Sequence, residues 1–244
     1  MRGARRVMAA SCLVAAVATA VVAAAGAAPA PRSIDAATPG QILARSMADA
    51  RAQHSVHAVE VERVGALTVI QRDFSDERSG LQELFFSTGA TVDIRLFRAV
   101  LYLKANSKGI QLVFSKRDNA YANKWLSVRR SNGAFPKLAE GIDFRSLLAE
   151  MPPTGPLAKS TLEVVARHRV IAISGNPNQV AQHVLGTESF DVSMRPPYLP
   201  PRISGHLRGN HRSANLVITF SNWGHNFVIE APKRATPVSS TNLL

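Results

Sequence analysis

From residue 59 to residue 104 the apolar residues of this chain fall into short runs of period two, and that period admits few folds. Val59 and Val61 alternate with Glu60 and Glu62, and Leu67 and Val69 resume the pattern after a turn at Gly65. Leu84 and Phe86 follow, then a tight turn at Thr88-Gly89-Ala90. Val92 and Ile94 alternate with Asp93 and Arg95, and Leu101 and Leu103 with Tyr102 and Lys104. Alternation places successive side chains on opposite faces of a strand. Consecutive short strands joined by short turns pair most simply as neighbours, so the stretch predicts an antiparallel meander, continued by a strand around Lys124-Trp125-Leu126-Ser127-Val128.

Helical spacing interrupts the strands three times. Pro39 suits a first helical position with Thr38 as its cap, and Ile42, Leu43, Met47 and Ala50 share one face of a helix running to Arg51. Residues 108–115 carry Ile110, Leu112, Val113 and Phe114, and residues 144–151 carry Leu147 and Leu148 before Pro152-Pro153 stops the helix. Beyond it the pattern returns to strands: Leu162 with Val164, Ile171 with Ile173, Phe190 with Val192 and Met194, then residues 202–207, 216–220 and 227–229. The expected fold is α+β, with about ten strands in one curved antiparallel sheet; a sheet of that length curls. The helices have nowhere better to pack than in its concave side.

The first residues point to export. Arg2, Arg5 and Arg6 precede an apolar run from Val7 to Ala25, and Ala25 to Ala28 offers a small-residue cleavage site. The alternative is an uncleaved anchor, since the run is long enough to cross a bilayer. Cys12 is the only cysteine, and it precedes most of the apolar run rather than following it, unlike a lipidation box. The expected organisation is therefore a signal over 1–28, a flexible Ala/Pro lead over 29–38, one domain over 39–232 and a disordered tail over 233–244. A processed chain of about 215 residues holds a sizeable core without disulfides. At 46% hydrophobic it reads as globular. Of 29 basic residues three belong to the signal, which leaves 26 against 17 acidic ones. An exported basic protein has anionic membrane surfaces and cell-wall polymers as natural partners; nucleic acid is not expected there.

No motif carries catalysis. There is no Gly-x-Ser-x-Gly elbow, the processed chain has no thiol, and no glycine-rich phosphate loop occurs. His54-x-x-His57 lacks further ligands at metal-binding spacing, and Glu188 and Asp191 read as solvated carboxylates on an exposed strand face. The expectation is a protein that is not an enzyme, with no catalytic residues, no cofactor and no metal. A hydrolase of unrecognised arrangement is the weakest alternative.

The apolar side of the strands supplies Val59, Val61, Leu84, Phe86, Ile94, Leu101, Leu103, Leu216 and Ile218. The helices add Ile110, Phe114, Leu147 and Leu148. By pattern alone these residues line a cavity or fill a dry core, because both give the same alternation.

The order of helix, meander, Tyr102-x-Lys104, inserted helix, Lys124-Trp125-Leu126-x-Val128 and a helix before Pro152-Pro153 resembles exported actinobacterial proteins of the LolA-like superfamily, among them the LppX and LprG type lipoproteins. Residues 216–232, with Ser221-Asn222-Trp223-Gly224 and a close on Ala231-Pro232, resemble the last hairpin of that family. The resemblance implies an unclosed barrel with helices plugging one side and an apolar cavity between, used by relatives to hold acyl chains of lipids or lipoproteins in transit through the cell envelope. It turns the listed side chains into candidate cavity lining and makes a lipid or acylated molecule the expected cargo. The chain departs from the lipid-anchored relatives in lacking a cysteine at the processed N-terminus, and its Pro196-Pro197-Tyr198-Leu199-Pro200-Pro201 replaces a shorter turn. The competing reading is an envelope interaction or sensor module with a filled core, binding a protein partner through its surface.

Overall fold

Thr38 opens the first helix with a reciprocal cap. Its side-chain oxygen accepts from the Gln41 amide while the Gln41 side chain accepts from the Thr38 amide. Helix α1 (Pro39–Arg51) buries Ile42, Leu43, Met47 and Ala50 on one face, as the spacing predicts. In the computed structural model the described residues are 33–113, 119–165, 167–178, 185–209 and 212–238. The signal expected over 1–28 therefore lies outside them, and no helix among them is long and apolar enough to cross a membrane.

The first meander is β1 (Ser55–Val64), β2 (Leu67–Asp76), β3 (Gly80–Phe86), β4 (Thr91–Phe97) and β5 (Val100–Ala105). Helix α2 (Ser107–Val113) leads towards β6 (Leu126–Arg129), and helices α3 (Phe135–Ala139) and α4 (Phe144–Glu150) bridge to the second meander. Asp143 caps α4 by accepting from the amides of Arg145 and Ser146. The second meander is β7 (Thr154–Val165), β8 (His168–Asn176), β9 (Leu185–Ser193), β10 (Arg202–Gly209) and β11 (Arg212–Ser221). With β12 (Thr236–Pro237) the spatial order is β12-β6-β5-β4-β3-β2-β1-β11-β10-β9-β8-β7. The meanders join where β11 pairs antiparallel with β1. The sheet stays open, with β7 at one edge and β12 at the other, and among the described residues only β12 runs parallel to its neighbour. This is the expected α+β open half-barrel, with twelve strands rather than about ten.

Two C-terminal expectations change. Residues 227–229, expected as the closing strand of a hairpin, are not a strand. Both sides of β11 are already paired, to β1 and β10, so no edge is free to receive it. The segment instead crosses the convex face. Phe227 packs edge-on against Phe74, the Glu230 carbonyl accepts from Arg95 Nη1, and Ile229 is buried. Part of the expected disordered tail then forms β12, where the Thr236 and Val238 amides donate to the carbonyls of Trp125 and Ser127.

Among the described residues the core falls into two clusters. The first gathers Phe86, Val92, Ile94, Leu101, Leu103 and Leu126 under Ile110 and Val113 of α2. The second gathers Ile173, Phe190, Val192, Ile203 and Phe220 under α1 and α4. Each fully buried Leu, Ile or Phe contributes roughly 1.5–3 kcal/mol, so either cluster is a substantial anchor.

Candidate functional site

The register shows what lies between the clusters on the concave face. One row of cross-strand partners runs Val92, Leu84, Gln71, Glu60, Ile218, Ile203, Phe190, Ile173. It begins and ends apolar and is polar in the middle. The row on one side runs Leu103, Ile94, Gln82, Asp73, Ala58, Phe220, and the row on the other runs Phe86, Val69, Glu62, Leu216, Gly205, Glu188. Together Gln82, Asp73, Gln71, Glu60 and Glu62 draw a polar seam across β3, β2 and β1.

Asp73 is buried, and both its oxygens accept, from Gln71 Nε2 at 3.0 Å and Gln82 Nε2 at 3.1 Å. Burial still outweighs these two bonds and lifts its pKa to about 6. Glu60 shares the seam. Burial first, then the charges of Asp73, Glu62 and Glu150, push it up to about 8. Its surface is half-buried. Burial also raises Glu62. Glu150, on the α4 end, keeps an exposed surface, yet it is raised to about 7 by the protein around it and by Glu140, Asp73 and Asp143. Glu188 is 7% exposed, has no hydrogen-bond partner for Oε1 among the described residues, and is raised to about 8 by burial. At neutral pH Glu60 and Glu188 are therefore mostly uncharged acids.

Of the expected lining residues, Leu84, Phe86, Ile94, Leu101, Leu103 and Ile110 are buried in the first cluster. Leu148 is buried in the second, with Leu147 and Ile218 half-buried at its margin. Leu216 is buried on the concave face between Glu62 and Gly205. Phe114 lies outside the described residues. The residues thus gather on two flanks of the seam rather than around one pocket. Val59 and Val61 need correction, because they point to the convex face. Val59 is partnered by Arg72 and Thr219, Val61 by Ile70 and Val217, while Ala58, Glu60 and Glu62 face inward. The phase is set by Val56 and Ala58, both fully buried, and a one-residue slip exchanges every side chain between faces. The small Ala58 was the signal in the sequence, and it is weaker than a valine pair.

Glu188 and Asp191 also differ from expectation. Both are buried, on opposite faces, and Asp191 pairs with Arg202 at 2.7 Å. His54 pairs with Glu77, whereas His57 stacks on Phe74 and contacts Ser221, so the two imidazoles have separate partners. Among the described residues no group of three or more His, Cys, Asp or Glu is placed to hold a metal.

The strand order and covered concave face define an open antiparallel half-barrel with plugging helices. No protein-family model matches the chain, and no curated protein does. Among solved structures it is similar to the crystal structure of LprF from Mycobacterium bovis, at 15% identity and TM-score 0.49, over 80% of this chain and 96% of that one. A DUF1329 family protein from Desulfovibrio piger is similar at 10% identity and TM-score 0.31, over 75% and 90%. The open antiparallel sheet is shown by the strand order itself.

Proposed function

We propose that this chain is an exported carrier of the cell envelope, a binding protein and not an enzyme, that holds the acyl chain of a lipid or acylated molecule on the concave face of its sheet. The observation that supports this most is the separation of the two apolar clusters by a strip of half-buried positions, Gln71, Glu60, Ile218 and Leu147 among them. A filled core would merge the clusters. An acyl chain gains about 0.8 kcal/mol per buried methylene, so a long chain binds there with few polar contacts. Exchange requires α2 or α4 to move off the sheet, since those helices cover the clusters.

Native mass spectrometry combined with organic extraction tests the reading. The expected result is near-stoichiometric co-purified lipid, lost when Ile218→Trp and Leu147→Trp fill the strip without changing the circular dichroism spectrum. Lipid-free wild-type protein from several hosts would instead favour the interaction module with a filled core.

A further inference from the structure

A groove of about 610 Å³ opens at the end of the half-barrel where β8 begins and β9 and β11 end. Its floor is aromatic. Phe220 is 6% exposed, and Trp223 lies 5.6 Å from it and edge-on to Phe144 of α4 at 6.4 Å, so the floor is the outer side of the second apolar cluster. One wall is the proline-rich connection from Ser193 to Pro201 and the other is the turn Arg167-His168-Arg169. Both walls are pinned. The Tyr198 amide donates to Asp49 of α1 at 2.9 Å, Arg45 lies over the Tyr198 ring, and the Met194 amide donates to the Arg169 carbonyl at 2.9 Å.

The rim is one-signed. Arg167, Arg169 and Arg195 line the groove and are exposed, His168 joins them, and no carboxylate is among the lining residues. Among the described residues none of these three arginines has an ion-pair partner; the ion pair nearby, Arg202 with Asp191, is closed on itself. Three guanidinium groups held around one opening repel each other, and an anion with several oxygens relieves that repulsion through bidentate hydrogen bonds. The floor asks for something different, since tryptophan, phenylalanine and proline offer no partner to an ion and favour hydrocarbon beside it. A cationic rim over an apolar floor complements an anionic amphiphile.

We propose that this groove binds the phosphate headgroup of an anionic lipid, with the phosphate between Arg167, Arg169 and Arg195 and the roots of its chains against Trp223 and Phe220. This rests on the carrier reading and gives it a headgroup station at the end of the acyl site. It also gives cargo selection a physical basis: a zwitterionic headgroup brings its own cation to the rim and is disfavoured by the same arginines.

The test uses dihexanoyl phosphatidylglycerol, dihexanoyl phosphatidylcholine and inorganic phosphate, each as a monomer in solution, titrated into the protein by calorimetry. The chain has two tryptophans, so a Trp125→Phe background lets fluorescence report Trp223 alone. The expected result is phosphatidylglycerol binding with a Trp223 shift, at least tenfold tighter than phosphatidylcholine or phosphate. The double variant Arg169→Gln, Arg195→Gln, at exposed positions, should lose at least tenfold of it. Equal affinity in the double variant overturns the proposal. So does inorganic phosphate binding as tightly as the lipid, or binding seen only with anionic vesicles, which is surface adsorption. The two readings fail separately. Wild-type protein that purifies without lipid but shows the arginine-dependent titration sinks the carrier and keeps the groove; lipid-loaded protein with no arginine dependence does the reverse.

Discussion

Glu60 occupies a place where the chain would be more stable with an amide. Its carboxyl faces inward between Gln71 and Ile218 and is pushed up to about 8. Below about pH 4.5 the folded and unfolded chains both hold this proton. Between there and pH 8 the unfolded chain releases it and the folded chain does not, so this contribution to stability is lost as pH rises. Glu188 acts in the same direction up to about 8, and Asp73 up to about 6. Glu60→Gln should therefore leave the melting temperature nearly unchanged at pH 4 and raise it by a few degrees at pH 9, on the order of 1–2 kcal/mol. An equal gain at both pH values would show that Glu60 ionises normally. The residue also marks where sequence reading stops. The alternation of β1 was legible, but its phase was not, because Val59-Glu60-Val61-Glu62 looks like a strand with valines inward. The phase is decided by partners far away in sequence, since Ala58 meets Asp73 and Phe220 while Glu60 meets Gln71 and Ile218.

At the scale of elements, local rules carried furthest where contacts are local. The capping pair Thr38 and Gln41, the turn at Gly89 and the stop at Pro152 are written within a few residues, and α1, α4 and the first meander stand where those signals place them. The seating of α2 is a different matter, since it depends on what the helix touches. A Cβ on Gly109 would lie 2.2 Å from the Thr91 carbonyl oxygen, and the Gly109 amide donates to Asn106 Oδ1, so the helix backbone rests directly on β4. Gly109→Ala should push α2 away and cost about 1–3 kcal/mol, the usual range for overpacking. The thermal midpoint checks this, and an unchanged value would mean that the helix has room to shift. β12 was illegible for the same reason in reverse. Two residues in a polar tail carry no periodicity, and their pairing is decided by the free edge of β6.

Across the whole molecule, the segment over the convex face ties the middle of the sheet to its edge. It leaves β11, lies on Phe74, passes Arg95 and ends on β6. Ending the chain at Pro232 removes β12 and exposes the β6 edge. The expected outcome is a folded protein that melts several degrees lower and aggregates sooner on heating, followed by light scattering. Identical melting and scattering would show that the edge needs no cover. The curved, open α+β sheet was legible as a class from strand count and turn spacing. Its division into two clusters was not, since that depends on which rows align across β1 and β11.

That central pairing has a kinetic consequence. His57 meets Ser221 across a separation of 164 residues, so the strand that completes the middle of the sheet is among the last to be made. Neither meander has its inner neighbour until nearly the whole chain has emerged, and loop closure over that span is slow. A chain built this way stays unlocked while it is being synthesised. Under the proposed export, late closure keeps the chain open for threading through a membrane.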